Sequence, residues 1–209
     1  MTRGQKKTAL IGGGGHALSL LQLGLPVDGY VDRRECPGLK GRLPWLGDDA
    51  AFLASCSPDD WRVHIAIVGG SGKEMGLRNR IARRYQDYDG ATLIAPTAIV
   101  AGGSRIGEGS AVMHGAIING ATLGRRCIVN TGAVVEHGCA AADNVFIGPG
   151  ATVCGGVTIG DDCFIGAGAT VRNCVTICSG VTIGIGAAVA ADITEPGVYT
   201  GVPAKKRSL

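Results

Sequence analysis

The sequence predicts an α/β domain of the half-Rossmann (βαβ) type over residues 1–90, followed by a parallel β-helix of hexapeptide repeats over residues 91–209. Three observations lead to this prediction. An aliphatic residue recurs every six positions in the second part, the first part lacks that period, and glycine supplies 36 of the 209 residues. The usual share of glycine is about 7%, so this chain is expected to make many tight turns.

Composition narrows the class of protein. Apolar residues make up 45% of the chain and the mean hydropathy is +0.24, which excludes a disordered glycine-rich linker. Glycine follows no three-residue repeat, so collagen is excluded. The net charge is +3 and the basic residues are spread along the chain, so no nucleic acid partner is expected. No apolar run is long enough for a membrane span, and no membrane partner is expected.

A cytoplasmic location is expected from the N-terminus and the cysteines. The apolar run after Lys7 is broken by the glycines that begin at Gly12, and no small-residue cleavage site follows, so no signal peptide is predicted. None of the eight cysteines forms a C-x-x-C pair. We therefore interpret them as reduced thiols of a cytosolic protein rather than as disulfides or metal ligands.

The first part of the chain alternates strands and helices. Its apolar runs predict strands at Thr8–Ile11, Val27–Asp32 and Val63–Val68, and helices at Leu18–Leu23 and Gly76–Tyr85. Strand, glycine-rich turn, helix and strand in succession are typical of a small Rossmann-like unit. About ninety residues are too few for a complete six-stranded dinucleotide fold, so half of one is predicted.

The turn after the first strand resembles a nucleotide-binding pattern. Gly12-x-Gly14-x-x-Ala17 fits the fingerprint whose glycines let the backbone approach phosphates, and Asp32 lies twenty residues beyond Gly12, where a ribose-binding acid would lie. We interpret this turn as the binding site of a nucleotide diphosphate. The alternative is a tight strand-to-helix turn with no ligand.

The second part repeats with a period of six. Steps of six residues lead from Ile94 to Val189, with one step of five between Ile118 and Leu123, and sixteen of the seventeen positions are bulky aliphatics. This period fits neither an α-helix nor an ordinary strand, but it is typical of a parallel β-helix. Three hexads close one triangular coil of 18 residues, which gives between five and six coils. The two prolines after Glu195 then predict a closing turn and tail against the last coil.

A second position in the later hexads, from Ala121 to Ala187, is small or β-branched at all twelve occurrences. It lies two residues before the aliphatic and is expected to point inward where the coil is tight; cysteines fill it at Cys127, Cys139 and Cys163. Glycines directly after the aliphatic are expected to relieve the backbone at the turns, as at Gly148, Gly160, Gly166 and Gly184. Smooth apolar sides and a triangular section favour a threefold assembly.

Four histidines are candidates for acid–base chemistry. His16 lies in the glycine turn and suits a ligand contact, whereas His64 and His114 are interpreted as structural. His137 follows the inward Val135 by two residues, so it is expected on the outer wall of the β-helix. A histidine there can accept a proton near neutral pH. The alternative is a surface histidine without a role.

These features together resemble the sugar acyltransferases of the NeuD/PglD type, over nearly the full length. The matching segments are Ile11-Gly-Gly-Gly-Gly-His-Ala17, Gly29-Tyr-Val-Asp-Arg33, Ile65-Ala-Ile-Val-Gly69 with Arg78, Asn130-Thr to Glu136-His137, and Gly201-Val-Pro-Ala-Lys205. The resemblance implies a nucleotide-sugar-binding N-terminal domain joined to a left-handed parallel β-helix. It also implies acetyl-CoA as cosubstrate and a homotrimer, and no metal is expected.

The resemblance also implies roles for individual residues. His137 would be the general base. The nucleotide-sugar site would be lined by Gly14, Gly15, His16, Asp32, Arg33 and Gly69. Acetyl-CoA would lie in the groove between neighbouring β-helices, near Phe146, Gly155, Ala167, Ile185 and Lys205. Gly155 lies one coil beyond His137, so its amide is expected on the same wall, where an N–H donor could stabilise the oxyanion.

Two positions depart from the family pattern. Many members have Glu or Asp directly after the catalytic histidine, which raises its basicity, whereas this chain has Gly138. Many also have a histidine near the thioester, at the position of Phe146. Glu136 is not expected to replace the missing acid, because adjacent strand residues point to opposite sides.

The resulting functional prediction is acetyl transfer from acetyl-CoA to the 4-amino group of a UDP- or similarly activated 4-amino-4,6-dideoxy sugar. O-acetylation of sialic acid is the alternative within the same class. A metalloenzyme of the γ-carbonic-anhydrase kind would need three converging histidines, and the repeats offer only His114 and His137. A non-catalytic assembly or binding module is the third alternative.

Overall fold

The structure is a computed structural model that describes residues 5–68 and 72–207. Its N-terminal part is a parallel sheet of four strands in the order β2-β1-β3-β4, accompanied by three helices. In chain order these elements are β1 Lys7–Ile11, α1 Gly15–Leu21, β2 Gly29–Val31, α2 Asp49–Ser55, β3 Trp61–Ile65, α3 Gly72–Arg84 and β4 Asp89–Gly90. The central strand β1 places Leu10 between Tyr30 of β2 and His64 of β3.

The predicted half-Rossmann unit is present, with two additional elements. α1 begins at Gly15, inside the glycine turn, and not at Leu18. α2 and β4 were not predicted, because neither shows a clear apolar period in the sequence. α2 has one buried residue, Phe52, and is stabilised at its start by Asp48, whose carboxylate accepts a hydrogen bond from the N–H of Ala51 at 2.9 Å.

Seventeen short strands then form three parallel faces of a triangular β-helix. Face 1 contains β5 Leu93–Ile94, β8 Ala111–Val112, β11 Ile128–Val129, β14 Phe146–Ile147, β17 Phe164–Ile165 and β20 Val181–Ile183. Face 2 contains β6 Ile99–Val100, β9 Ile117–Ile118, β12 Val134–Val135, β15 Thr152–Val153, β18 Thr170–Val171 and β21 Ala188–Val189. Face 3 contains β7 Arg105–Ile106, β10 Thr122–Leu123, β13 Ala140–Ala141, β16 Thr158–Ile159 and β19 Thr176–Ile177.

Turns at three corners join the faces. Corner 1 links face 1 to face 2, as at residues 148–151; corner 2 links face 2 to face 3, as at residues 136–139; corner 3 links face 3 to face 1, as at residues 142–145. Most strands pair with the strand 18 residues later, as Val135 does with Val153. The pairs that span the five-residue step, such as Ile118 with Val135, are separated by 17 residues.

The inside of the β-helix is filled as the repeat predicts. From Val112 to Val189 every aliphatic of the repeat is buried, and so are the small residues two positions earlier. Ile94, Val100 and Ile106 are less buried, because they form the open first coil. Cys127, Cys139 and Cys163 lie inside, and burial raises the pKa of the Cys127 and Cys163 thiols to about 11. All eight cysteines are free thiols.

The glycines directly after the aliphatic positions were predicted to relieve the backbone at the turns, and this prediction is wrong. Gly148, Gly160, Gly166 and Gly184 do not have left-handed backbone angles. Instead, a Cβ at Gly160 would lie 2.5 Å from the backbone nitrogen of Ser179, so glycine is needed where the next coil passes closely. The left-handed positions come two residues later, as at Gly168 with φ of 64°.

The N-terminal domain covers the outer side of face 1. The outward residues Leu93, Ala111, Ile128 and Phe146 are at most 5% exposed and share one core cluster with residues of β1, α1 and β2. The outward positions of face 3 are instead Arg, Thr or Ala. Each large apolar side chain buried in this way contributes roughly 1.5–3 kcal/mol, so the two parts form one continuous structure.

The closing segment is a hairpin and not the predicted turn and tail. β22 Gly197–Thr200 adds to face 1 in parallel with β20, and β23 Lys205–Lys206 returns antiparallel to β22. Residues 201–204 form the turn between them. The helices in the described part of the chain are all too short or too polar to span a bilayer.

Candidate functional site

His137 lies in an exposed turn at corner 2. Four residues, 136–139, separate β12 from β13, whereas three residues, 119–121, separate β9 from β10 one coil earlier. The single five-residue step of the repeat therefore adjoins His137. The turn at residues 119–121 is the one short turn among the described turns of corner 2, because residues 101–104 and all later turns at this corner have four residues.

Gly155 occupies the position directly after His137 in the stack of coils. A Cβ at Gly155 would lie 2.8 Å from Cε1 and 2.9 Å from Nε2 of the His137 imidazole, so the ring rests on the bare backbone of Gly155. The N–H of Gly155 donates to no acceptor within residues 5–68 and 72–207, although the neighbouring N–H of Gly156 donates to the carbonyl of His137 at 2.9 Å. A possible base and an unpaired N–H donor therefore adjoin one another.

Glu136 lies beside His137 in the same turn. Its carboxylate accepts a hydrogen bond from Asn119 Nδ2 at 2.8 Å and a longer one from the backbone N–H of His137 at 3.4 Å. Both residues belong to the turn after β12 and not to a strand. The alternation of side chains along a strand therefore does not explain why Glu136 could not assist His137. Within the described residues the carboxylate nevertheless makes no hydrogen bond to the imidazole. Asn119, which holds it, gave no signal in the sequence.

The glycine turn between β1 and α1 is open where a ligand would approach. Gly14 and Gly15 are exposed, and a Cβ at either position would meet nothing within 4 Å. Packing therefore does not require these two glycines. Gly13 is different, because its Cβ would lie 2.5 Å from Cys36 Sγ and 3.0 Å from the Tyr30 ring. Gly69 lies outside the described residues.

Asp32 holds this turn in place. Its carboxylate accepts a hydrogen bond from the backbone N–H of Gly13 at 2.8 Å. The sequence suggested only a ribose contact for this acid. Arg33 is exposed beside it, and the two residues line a cleft of about 490 Å³ that also includes Arg80 and Arg84 of α3. The lining also includes Asp49, which forms an ion pair with Arg84. The cleft therefore presents Arg33 and Arg80 as exposed cations at the carboxyl end of the sheet, where ligands of parallel sheets usually bind.

Behind the turn, His64 is fully buried and His16 is half-buried beside it. Their ring centroids are 6.3 Å apart, and Nε2 of each ring is buried without a hydrogen-bond partner among the described residues. His64 Nδ1 donates to the carbonyl of Ala91 at 3.0 Å. Burial is the main cause that lowers the pKa of His16 to about 3 and that of His64 to about 4. Both rings are therefore neutral at physiological pH.

The residues predicted to contact acetyl-CoA fall into two groups. Gly155 lies at corner 2 with His137. Ala167 and Ile185 lie at corner 1 on successive coils, and Lys205 lies on the exposed strand β23. Phe146 points outward from face 1, is 5% exposed and stacks on Phe164 with ring centroids 4.7 Å apart. Within one chain, face 2 separates these two groups.

His114 and Arg78 are polar residues at the boundary between the two domains. His114 is held between the domains, since it accepts from Thr97 Oγ1 at 2.6 Å and donates to the carbonyl of Gln22 at 3.2 Å. The described residues contain no group of three or more His, Cys, Asp or Glu that could hold a metal ion. Arg78, which the sequence offered only as part of a motif, is buried between the two domains.

Comparison with a family model identifies the repeats. Residues 142–173 match the model described as bacterial transferase hexapeptide (six repeats). No curated protein matches the chain. The match covers a small part of the sequence, but it lies within the coils that contain Gly155 and Ala167.

Solved structures resemble the whole chain. The acetyltransferase domain of PglB from Neisseria gonorrhoeae FA1090 is 33% identical, with a TM-score of 0.88, and the match covers 97% of this chain and 100% of that domain. The same domain in complex with acetyl coenzyme A is 34% identical, with coverage of 98% and 100% and a TM-score of 0.88. PerB from Caulobacter crescentus, in complex with CoA and GDP-perosamine, is 34% identical, with 97% of each chain covered and a TM-score of 0.85.

Proposed function

Because this chain belongs to the hexapeptide-repeat sugar N-acetyltransferases, we propose that it acetylates the 4-amino group of a nucleotide-linked 4-amino-4,6-dideoxy sugar. Acetyl-CoA is the acetyl donor. One observation carries the assignment of the site: the imidazole of His137 rests on Gly155, whose N–H has no acceptor among the described residues. These two groups are the base and the oxyanion donor that amide formation from a thioester requires.

The proposed reaction needs no covalent enzyme intermediate. The neutral amine attacks the thioester carbonyl, and a ring nitrogen of His137 accepts the proton that the amine loses. The N–H of Gly155 donates a hydrogen bond to the oxyanion of the tetrahedral intermediate. The intermediate collapses with cleavage of the C–S bond, and the imidazolium returns its proton to the departing sulfur of CoA. The products are the N-acetyl sugar and CoA.

The open glycine turn is the proposed site of the nucleotide. Gly14, Gly15 and His16 would surround the diphosphate, and Asp32, Arg33 and Gly69 would complete the site. The open space at Gly14 and Gly15, and the exposed Arg33 and Arg80 in the adjoining cleft, support this proposal. The relative from Caulobacter crescentus binds GDP-perosamine, which supports a nucleotide-linked amino sugar as the class of acceptor.

We also propose a homotrimer in which neighbouring chains share each acetyl-CoA site. His137 and Gly155 lie at corner 2, whereas Ala167 and Ile185 lie at corner 1, on the far side of face 2. Lys205 lies on β23, and Phe146 is covered by the N-terminal domain, so Phe146 is not proposed as part of this groove. A groove between two β-helices would bring corner 2 of one chain to corner 1 of the next. The 84% exposure of the Ile185 side chain supports a role in such a groove. The eight free cysteines support a cytoplasmic location.

A mixing experiment tests the shared site. His137→Ala and Ile185→Asp should each be nearly inactive as separate trimers. Co-expressed in equal amounts, they should regain about a quarter of the wild-type activity, because random mixing gives one in four sites an intact half from each chain. Sedimentation should show a trimer throughout. No recovery in mixed trimers would contradict a site shared between chains.

Release of the CoA thiol tests the reaction itself. UDP- and GDP-linked 4-amino-4,6-dideoxy sugars and sialic acid should be compared as acceptors. We expect turnover with a nucleotide-linked amino sugar and none with sialic acid. Turnover with sialic acid alone would establish O-acetylation instead. A chain whose melting temperature does not respond to acetyl-CoA and that turns over no acceptor would be an assembly module.

A further inference from the structure

Arg78 of α3 connects the two domains through one buried side chain. The residue is 2% exposed. Its guanidinium donates to the carbonyls of Ile65, at 3.0 Å, and Ile67 in the N-terminal domain. It also donates to Asn144 Oδ1 and to the carbonyl of Arg126, both at 2.9 Å, in the β-helix. All these acceptors are neutral, and no carboxylate is hydrogen-bonded to Arg78 in the described part of the chain.

Corner 3 is built to receive this side chain. Arg126, Asn144 and Asp162 follow one another at 18-residue intervals and have left-handed backbone angles, with φ of 57°, 57° and 59°. Asn144 Nδ2 donates to the carbonyl of Met75 at 3.2 Å and to Asp162 Oδ1 at 2.7 Å. Asn79 Nδ2 donates to the same Asp162 oxygen at 2.6 Å. The first part of helix α3 is therefore bonded to corner 3 through Met75, Arg78 and Asn79.

The chemistry of Arg78 indicates why this position is arginine. Burial lowers the pKa of Arg78 to about 10, so the side chain remains charged at neutral pH. A buried cation without a carboxylate partner is costly, so the hydrogen bonds to the guanidinium must offset its desolvation. Only the planar guanidinium can donate in several fixed directions at once, which lysine cannot do. Arginine is therefore suited to this position because its guanidinium can bond several acceptors in different directions.

The contacts of Arg78 lie at the edge of the nucleotide turn. Ile65 ends β3 and Ile67 follows it, on the path toward Gly69. β3 is the direct neighbour of β1, from which the glycine turn leaves at the same carboxyl edge. The charge of Arg78 also contributes to the lowered pKa of His16 in that turn, which is a further sign of their proximity.

We propose that Arg78 is a positioning residue for the nucleotide-sugar site. It fixes the carboxyl end of β3 to corner 3 of the β-helix. In this way it sets the position of the glycine turn relative to the β-helix, which contains His137 and Gly155. Arg78 does not touch the ligand. The proposal rests on the proposed function, because it assumes that a nucleotide binds at the glycine turn.

Binding measurements on folded variants test the proposal. Arg78→Met removes the guanidinium and its charge. Asn144→Gly removes one acceptor of Arg78 together with the two bonds that Asn144 Nδ2 donates, and it keeps the left-handed backbone angle without strain. Arg83→Met is the matched control, because Arg83 is an exposed arginine of the same helix with no side-chain hydrogen bond in the described residues. The dissociation constants of UDP, GDP and acetyl-CoA should be measured by calorimetry, with melting curves to verify folding.

The expected result separates the two substrates. The dissociation constant of the preferred nucleotide should rise about tenfold in both Arg78→Met and Asn144→Gly, as loss of buried hydrogen bonds to a charged group implies. That of acetyl-CoA should stay within about twofold, and Arg83→Met should match the wild type. Unchanged nucleotide binding in either folded variant would overturn the role of Arg78, as would the failure of both variants to fold. A wild-type chain that binds neither UDP nor GDP would instead contradict the proposed function.

Discussion

The imidazole of His137 lies on the α-carbon of Gly155, so closely that a methyl group at Gly155 would be only 2.8 Å from the ring. The stacking of two coils therefore fixes the ring relative to the N–H of Gly155, which has no acceptor in the part of the chain that the structure describes. The same contact explains why residue 155 is glycine, although its backbone angles do not require it.

Gly155→Ala should lower kcat, because the new methyl group must push the imidazole away from its position. A displacement of about 1 Å at a reacting group can cost about a hundredfold in rate, so a loss of about ten- to a hundredfold is expected. Gly102→Ala is the control, since Gly102 lies at the same corner in the first coil and a Cβ there would meet nothing within 4 Å. Equal kcat values for the two variants would contradict the positioning of His137 by Gly155.

Gly138→Asp should raise kcat relative to Gly138→Asn if a carboxylate next to His137 increases its basicity. Gly138 has a left-handed φ of 71°, so both variants carry similar backbone strain, and Asp and Asn tolerate this angle better than most residues. Both should melt below the wild type. Comparison of the two variants therefore isolates the charge, and identical rates would show that no orienting acid is missing.

Asp32→Asn should raise the KM for the nucleotide sugar about tenfold and leave the KM for acetyl-CoA unchanged. The substitution weakens the 2.8 Å hydrogen bond that fixes Gly13, and bonds to charged groups are the stronger kind. Asp28→Asn is a matched control, because Asp28 accepts the same kind of bond, at 2.8 Å, from the N–H of Thr8 at the other end of β1. The KM values of both variants should be measured by steady-state kinetics. An equal rise in the two KM values for the nucleotide sugar would refute the role of Asp32.

Acid should destabilise the fold through the buried His64. The pKa of His64 is about 4 in the folded chain and 6.5 when exposed, so the unfolded state binds the proton first. The contribution of His64 to the free energy of unfolding is complete above pH 6.5 and is lost as the pH falls toward 4, by about 3 kcal/mol. Urea unfolding of His64→Gln should therefore depend less on pH over this range. Parallel curves for variant and wild type would contradict the shift.

The sequence was most informative where a pattern repeats. The six-residue period alone leads to the coils, to the inward position of Val135 and to the outward position of His137, because each hexad meets the same steric demand. The contact between the two domains had a weaker signal. Leu93, Ala111 and Ile128 are apolar at the outward position of every third strand, which marks the face that another part of the chain covers.

Other features depend on how separate segments meet. Gly13 is bound by Asp32, and Arg78 by Asn144, only because the folded chain brings together segments 19 and 66 residues apart. Such pairs leave no repeating pattern in the sequence from which they could be predicted. The two groups of acetyl-CoA residues likewise become separate only when residues 136–139 and 166–169 are assigned to different corners.

The most direct test of the proposed chemistry is the turnover of His137→Ala. If His137 is the general base, kcat should fall by about 10² to 10⁴ while the dissociation constant of acetyl-CoA stays near the wild-type value. Trimer formation and the melting temperature should also be unchanged, since His137 is exposed. Wild-type turnover by His137→Ala between pH 6 and 9 would show that the base lies elsewhere, even though the chain keeps its family and fold.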